Sequence, residues 1–241
     1  MHLQHHDSTA RNMTQGSIVM QLVAFSLPLM LGNVFQMLYN TVDSIVVGNF
    51  VGETALAAVG NCATMTMLFT AIALGMSNGA AVVVSQFYGA GRMNEMKKAV
   101  ASSLILLFGM GVVLSILGCV LSGWLLRVVL GVQEYLLPQA ELYFRIYAIG
   151  LLAQFIYNIV AAILRSMGDS RATLYFLLVS AVCNILLDML AVIALGWGVM
   201  GVAVATVVSQ ILSAAVSVVY LFHRYTSLRF AKGELRFDGE M

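Results

Sequence analysis

Between Ile18 and Phe222 the sequence alternates long apolar runs with short polar or glycine-bearing breaks. A helix needs about 20 apolar residues to cross the hydrocarbon core of a bilayer, and six runs reach that length. They predict helices over about 18–48, 54–88, 96–122, 137–163, 172–194 and 199–222. The breaks are "GNFVGE", "GAGRMNEMKK", "LRVVLGVQEYLLP", "LRSMGDSR" and "LGWGVMG", the last splitting an uncharged run from Met189 to His223. Residues 1–17 are polar and look unlike a cleavable leader, so the first helix is expected to act as its own insertion signal. Residues 223–241 read as a polar tail. No repeat is visible within the six helices, which therefore predict one all-α membrane bundle.

Composition supports a membrane chain. Of 241 residues, 61% are hydrophobic and only 10% charged, whereas soluble domains carry roughly a quarter charged residues. The net charge of +1 points to no nucleic-acid partner. Cys62, Cys119 and Cys183 each sit alone in an apolar run, without the spacing of a metal or disulfide framework. "MHLQHH" could suggest a metal tract but reads better as a terminal segment. "GAGRMNEMKK" lacks the ending of a phosphate-binding loop, so ATP is not expected to drive this chain directly.

Lys and Arg add an orientation. With the N-terminus in the cytoplasm, the inner side receives ten of them, among them Arg92, Lys97, Lys98, Arg171 and Arg224. The outer side receives Arg127 and Arg145, the latter expected to snorkel to the interface. Ten against two predicts both termini cytoplasmic in a multi-pass protein of the cell's inner (plasma) membrane.

Against this background two acids stand out, Asp43 in the first helix and Asp188 in the fifth. An ionised Asp at the centre of a membrane helix costs on the order of 3 kcal/mol or more, so such residues are functional candidates by default. In the predicted orientation both lie in the outer half of the bilayer, at similar height, which suggests one shared site. Asn184 precedes Asp188 by one helical turn and Tyr39 precedes Asp43 by one, so each shares its neighbour's face. Thr206 and Tyr143 fall at matching height on the sixth and fourth helices, and Asn158 lies deeper. Such a set of oxygens suits a hard cation such as Na⁺, or a proton relay. The plainer reading is that Asn, Thr and Tyr only hydrogen-bond between helices. Pro28, fifteen residues before Asp43, removes a backbone hydrogen bond from the first helix. A bend there could couple to the acid or be a static kink. The Gly, Ala and Ser of "LGMSNGAAVVVSQFYGAG" read as close helix packing.

At this point five segments resemble one family. "LPLMLGNVFQMLYNTVDSIVVGNFVGETALAAVG", "GAAVVVSQFYGAGR", "AAILRSMGDSRATLY", "CNILLD" and "GVAVATVVSQ" look like the multidrug and toxic compound extrusion (MATE) transporters, over about residues 15–230. The resemblance implies a secondary transporter, not an enzyme, that expels organic cations in exchange for Na⁺ or H⁺ and uses no other cofactor. It implies that Asp43, Asn184, Asp188, Thr206 and Asn158 belong to a cation site and that Pro28 bends when the acid titrates. Family members have twelve helices in two lobes. On that pattern 18–222 is the N-terminal lobe and the tail an interlobe connector cut short. The chain is then expected to be a truncated product, or to pair with a second copy. The alternatives are a lipid-linked oligosaccharide flippase of the same superfamily, an intramembrane aspartyl protease, and an inactive fragment. The flippase reading expects basic residues along the cavity, and none is expected deep in these helices. The protease reading lacks its GxGD signature.

Overall fold

The computed structural model describes residues 18–228, and among them the regular structure is entirely helical. The segment 1–17, with its histidines, and residues 229–241 of the tail lie outside the described residues. Helix α1 runs Ile18–Val46, α2 Glu53–Gly89, α3 Met93–Trp124, α4 Leu137–Ser166, α5 Ser170–Asp188 and α6 Gly198–Arg224. Helices α1, α3 and α5 each continue into a π-helical turn, at Val47–Val51, Leu125–Val129 and Met189–Ala194. With these turns counted, all six are long and apolar enough to cross a membrane.

The bundle is organised around α4. It packs against α2, α3 and α6, while α1 rests chiefly on α5. The most apolar window of α4 is 67% buried and that of α1 only 6%, so α4 is the axis and α1 a peripheral stave. Small residues let the backbones approach. A Cβ on Gly118 would stand 2.9 Å from that of Ala148, and one on Gly150 would stand 2.8 Å from a Val207 methyl. Side chains such as Val120, Met67 and Leu22 point outward, as lipid contact requires.

Several helix ends fall a few residues from the sequence expectation, and two of them have a clear local reason. The third helix, expected to stop at 122, continues to Val129 because "LLRVV" offers neither Gly nor Pro to end it. The fourth, expected to stop at 163, continues to Ser166, because the first stop signal is Gly168. Gly168 has φ 87°, its N–H donates to the Arg165 carbonyl (3.0 Å) and the Asp169 N–H to that of Leu164 (2.9 Å). This is the Schellman arrangement, in which a left-handed residue closes the last turn. Arg165, assigned from sequence to the break between helices, therefore sits on α4. Arg145 also differs: rather than only snorkelling, its Nε donates to Ser122 Oγ (2.9 Å) and its guanidinium pairs with Glu141, tying α4 to α3.

The α4–α5 turn is held by one carboxylate. Asp169 Oδ1 caps α5 by accepting from the Ala172 N–H (3.1 Å). Its Oδ2 accepts from Tyr220 Oη (2.9 Å) and Tyr225 Oη (3.4 Å), which fastens the end of α6 to the same turn. Burial, with the Asp169 charge beside it, holds the Tyr225 phenol well above its ordinary range, so it remains a donor. An N-cap is worth about 1 kcal/mol and each unpaired buried hydroxyl roughly as much. Asp169→Ala is expected to lower stability by about 2–3 kcal/mol and Asp169→Asn, which keeps the cap, by about half that. Unfolding of the two variants in mixed micelles checks the order.

Candidate functional site

Polar residues recur on the inner faces of four helices at helical spacing. On α1 they are Gln36, Tyr39 and Asp43, in line with Pro28 and Gly32; on α4, Tyr143, Tyr147, Gln154, Asn158 and Arg165. On α5 they are Thr173, Ser180, Asn184 and Asp188; on α6, Thr206, Gln210, Ser213 and Ser217. Steps of three, four and seven keep each set on one side of its helix. Hydrocarbon cannot satisfy a polar group, so these stripes turn toward one another.

At one end of this seam Asp43 and Asp188 meet. Their carboxyls lie within hydrogen-bonding reach of each other. Asp188 is 0% exposed and Asn184 2%. Asp43 Oδ1, both Asp188 oxygens and both Asn184 amide atoms are buried without a hydrogen-bond partner. Two carboxylates cannot donate to each other, so their contact becomes a hydrogen bond only with a proton between them. Tyr39 and Tyr143 lie within electrostatic reach of Asp43. Around the acids, Val42, Val46, Val47, Val192, Val199 and Val202 form an apolar plug.

The magnitudes decide what this pair can do. Two like charges 4 Å apart repel by about 4 kcal/mol even at an effective dielectric of 20. No described donor offsets that repulsion. The arrangement can therefore hold one proton, or one monovalent cation with the Asn184 carbonyl as an added ligand. Among the described residues no three His, Cys, Asp or Glu side chains converge.

Thr206 and Asn158 spend their donors on their own helices. Thr206 Oγ1 donates to the Val202 carbonyl of its own helix (3.0 Å), and Asn158 Nδ2 to the Gln154 carbonyl (2.9 Å). Neither is hydrogen-bonded to Asp43 or Asp188. Asn158 instead lines a cavity of about 190 Å³ along with Pro28, Tyr39, Thr70, Gln154, Tyr157 and Arg165. A network crosses this seam: Gln154 Nε2 donates to Thr70 Oγ1 (2.8 Å), and Tyr147 Oη to Gln154 Oε1 (3.0 Å). Tyr143 stacks on Tyr147 with centroids 6.4 Å apart, so aromatic and amide groups connect the acid end to the cavity.

With the acid pair and seam in view, comparison with known proteins is informative. The MatE family pattern matches residues 28–190. The chain belongs to the MatE family. It is 35% identical to "Probable multidrug resistance protein YpnP" of Bacillus subtilis (strain 168) over 83% of its own length and 45% of that protein's. A crystal structure described as MATE in the bent conformation superposes with a TM-score of 0.88 at 27% identity, covering 96% of this chain and 52% of that one. One described as the straight conformation gives 0.81 at 29%, covering 89% and 47%. The chain spans about half the length of the relatives it matches. The six-helix lobe and the multi-pass membrane character are those of this family, and the protease reading falls with the assignment.

In this MatE lobe, sequence reasoning singled out both acids, Asn184 and the tyrosines but passed over Thr70, Tyr147, Gln154, Gln210 and Arg165. The signal was present on α4, where residues 143, 147, 154, 158 and 165 share one face. Interhelical hydrogen bonds in membranes are worth on the order of 0.6–2 kcal/mol. Gln154→Leu and Thr70→Val are expected to cost about 1 kcal/mol each, with a coupling of about 0.6 kcal/mol or more in a double-mutant cycle. Unfolding free energies of the four proteins measure it.

Proposed function

We propose that this chain is one lobe of an exporter of organic cations, driven by inward Na⁺ or H⁺, with the Asp43–Asp188 pair as the coupling site. The observation that carries the reading is two carboxyls in contact, Asp188 fully buried and Asp43 half-buried, with neither Asp188 oxygen nor Asp43 Oδ1 given a partner by the described residues. One ion between them removes the repulsion, so occupancy and the packing of α1 on α5 become linked. Asn184 supplies an oxygen to that ion, and Thr206 and Asn158 act further along the seam. Tyr39 and Tyr143 supply hydroxyls beside Asp43. Pro28, on the same face of α1 and on the cavity wall, is the bending point. Relatives described as bent and straight support a lobe with two arrangements. Both termini face the cytoplasm on the distribution of Lys and Arg. The substrate passes beside a second six-helix unit.

A second reading has one observation in its favour. Arg165, in the last turn of α4, lines the cavity. That is the feature a flippase for lipid-linked phosphates would need.

Asn at position 43 is nearly isosteric and permanently neutral. In the lobe-complete transporter, Asp43→Asn and Asp188→Asn are each expected to abolish gradient-driven efflux while the protein still reaches the membrane. The double variant should be little worse than either single one, because the pair acts as a unit. Efflux of a fluorescent organic cation from energised cells is the readout, and wild-type efflux by Asp43→Asn would remove the coupling role. External cysteine labelling should reach positions near Gly48–Gly52 and Gly196–Gly198 but not Arg92 or Arg171.

A further inference from the structure

The cavity beside the acids has a charge of its own. Among the described residues lining it, Arg165 is the only one formally charged, and no Asp or Glu shares the wall. Arg165 is half-buried in the last turn of α4, and Tyr157 shares the cavity wall with it. The closest acid in sequence, Asp169, is already committed to Ala172, Tyr220 and Tyr225. An arginine on an interior wall without a carboxylate is unusual, since such cations pair with acids or with ligands.

The rest of the wall suits a guest. Ser213 and Gln210 also line it, and Ser213 Oγ is buried without a partner among the described residues. Leu174 and Leu177 of α5 and Leu29 of α1 supply an apolar side. From Gln154 to Arg165 the cavity follows α4 for about 16 Å at the ordinary helical rise. Its volume of about 190 Å³ falls below the roughly 300–1,000 Å³ of sites that take whole drug-sized molecules. It accommodates a single ring, a short chain or a head group.

We propose that this cavity binds a small molecule or head group carrying a carboxylate or phosphate, its anionic group paired with Arg165 and its body against Leu174 and Leu177. A guanidinium donates in a fork that matches these oxyanions, and charge-assisted pairs are the stronger class of hydrogen bond. The proposal goes beyond the coupling role of the acids, and a binding assay tests it without reference to export. A failure here leaves the acid pair untouched, and a failed efflux test leaves this site untouched.

The probes are benzoate and its neutral isostere benzamide, added to the 241-residue chain in phosphatidylcholine nanodiscs. Binding is read from the rise in unfolding temperature with ligand concentration. Benzoate should bind roughly tenfold or more tighter than benzamide. Arg165→Gln should remove that preference and leave benzamide unchanged, while Arg165→Lys should keep part of it. The wild-type comparison needs no variant, so it decides even if Arg165→Gln does not fold. Replacing part of the lipid by phosphatidylglycerol separates the sources of the anion. Loss of benzoate binding in those discs assigns the site to a head group; unchanged binding assigns it to a free anion. Equal affinity for benzoate and benzamide, no saturable benzoate binding, or a preference that survives Arg165→Gln would each overturn the proposal. Arg165 would then only reach out to the aqueous interface.

Discussion

Two carboxyls in contact beside an apolar plug repel each other when both are ionised, and a cation or a proton between them removes that repulsion. That constraint organises the lobe. Asp43 comes from α1, the least buried helix, and Asp188 from α5, against which α1 chiefly rests. The charge state of one small contact therefore bears on how the peripheral stave packs. Structural acids in membrane helices ordinarily carry a donor or a basic partner. Here the described residues supply neither to Asp188 or to Asp43 Oδ1.

The same reasoning orders the rest of the interior. Polar stripes on α1, α4, α5 and α6 have no solvent to face, so they face one another, and the small residues that bring α4 close to α3 and α6 make this possible. Gly150 shows the link directly: a side chain there would strike Val207 and the Gln210 amide together. Packing and polar chemistry meet at one residue. The seam carries opposite charge at its ends, carboxyls at Asp43 and Asp188 and a guanidinium at Arg165. In our proposal a cation or proton is handled at the first and an oxyanion at the second.

Much of this was legible in the sequence because membranes restrict the options. Six apolar runs of spanning length, separated by glycine-bearing breaks, leave little but a six-helix bundle. An acid in such a run announces itself by its cost, and a residue four positions earlier shares its face, as Asn184 does with Asp188. Other features were hidden for physical reasons. Gln154, Thr70 and Tyr147 are uncharged and cheap enough to pass for packing until α2 and α4 are placed side by side. The Thr206 hydroxyl proton goes to its own helix, a choice that spacing does not reveal. Arg165 was assigned to a turn because "LRSMGDS" reads as a break, whereas the helix continues until Gly168 takes the left-handed conformation.

The central claim is that a single proton or monovalent cation stands between Asp43 and Asp188. Difference infrared spectroscopy of the purified chain, comparing wild type with Asp43→Asn and Na⁺-free with Na⁺-containing buffer, observes it directly. The account predicts a neutral-carboxyl band in Na⁺-free wild type that is lost in Asp43→Asn, or carboxylate bands from this pair that shift when Na⁺ is added. Two carboxylates ionised together, with no neutral band and no response to Na⁺, would contradict it.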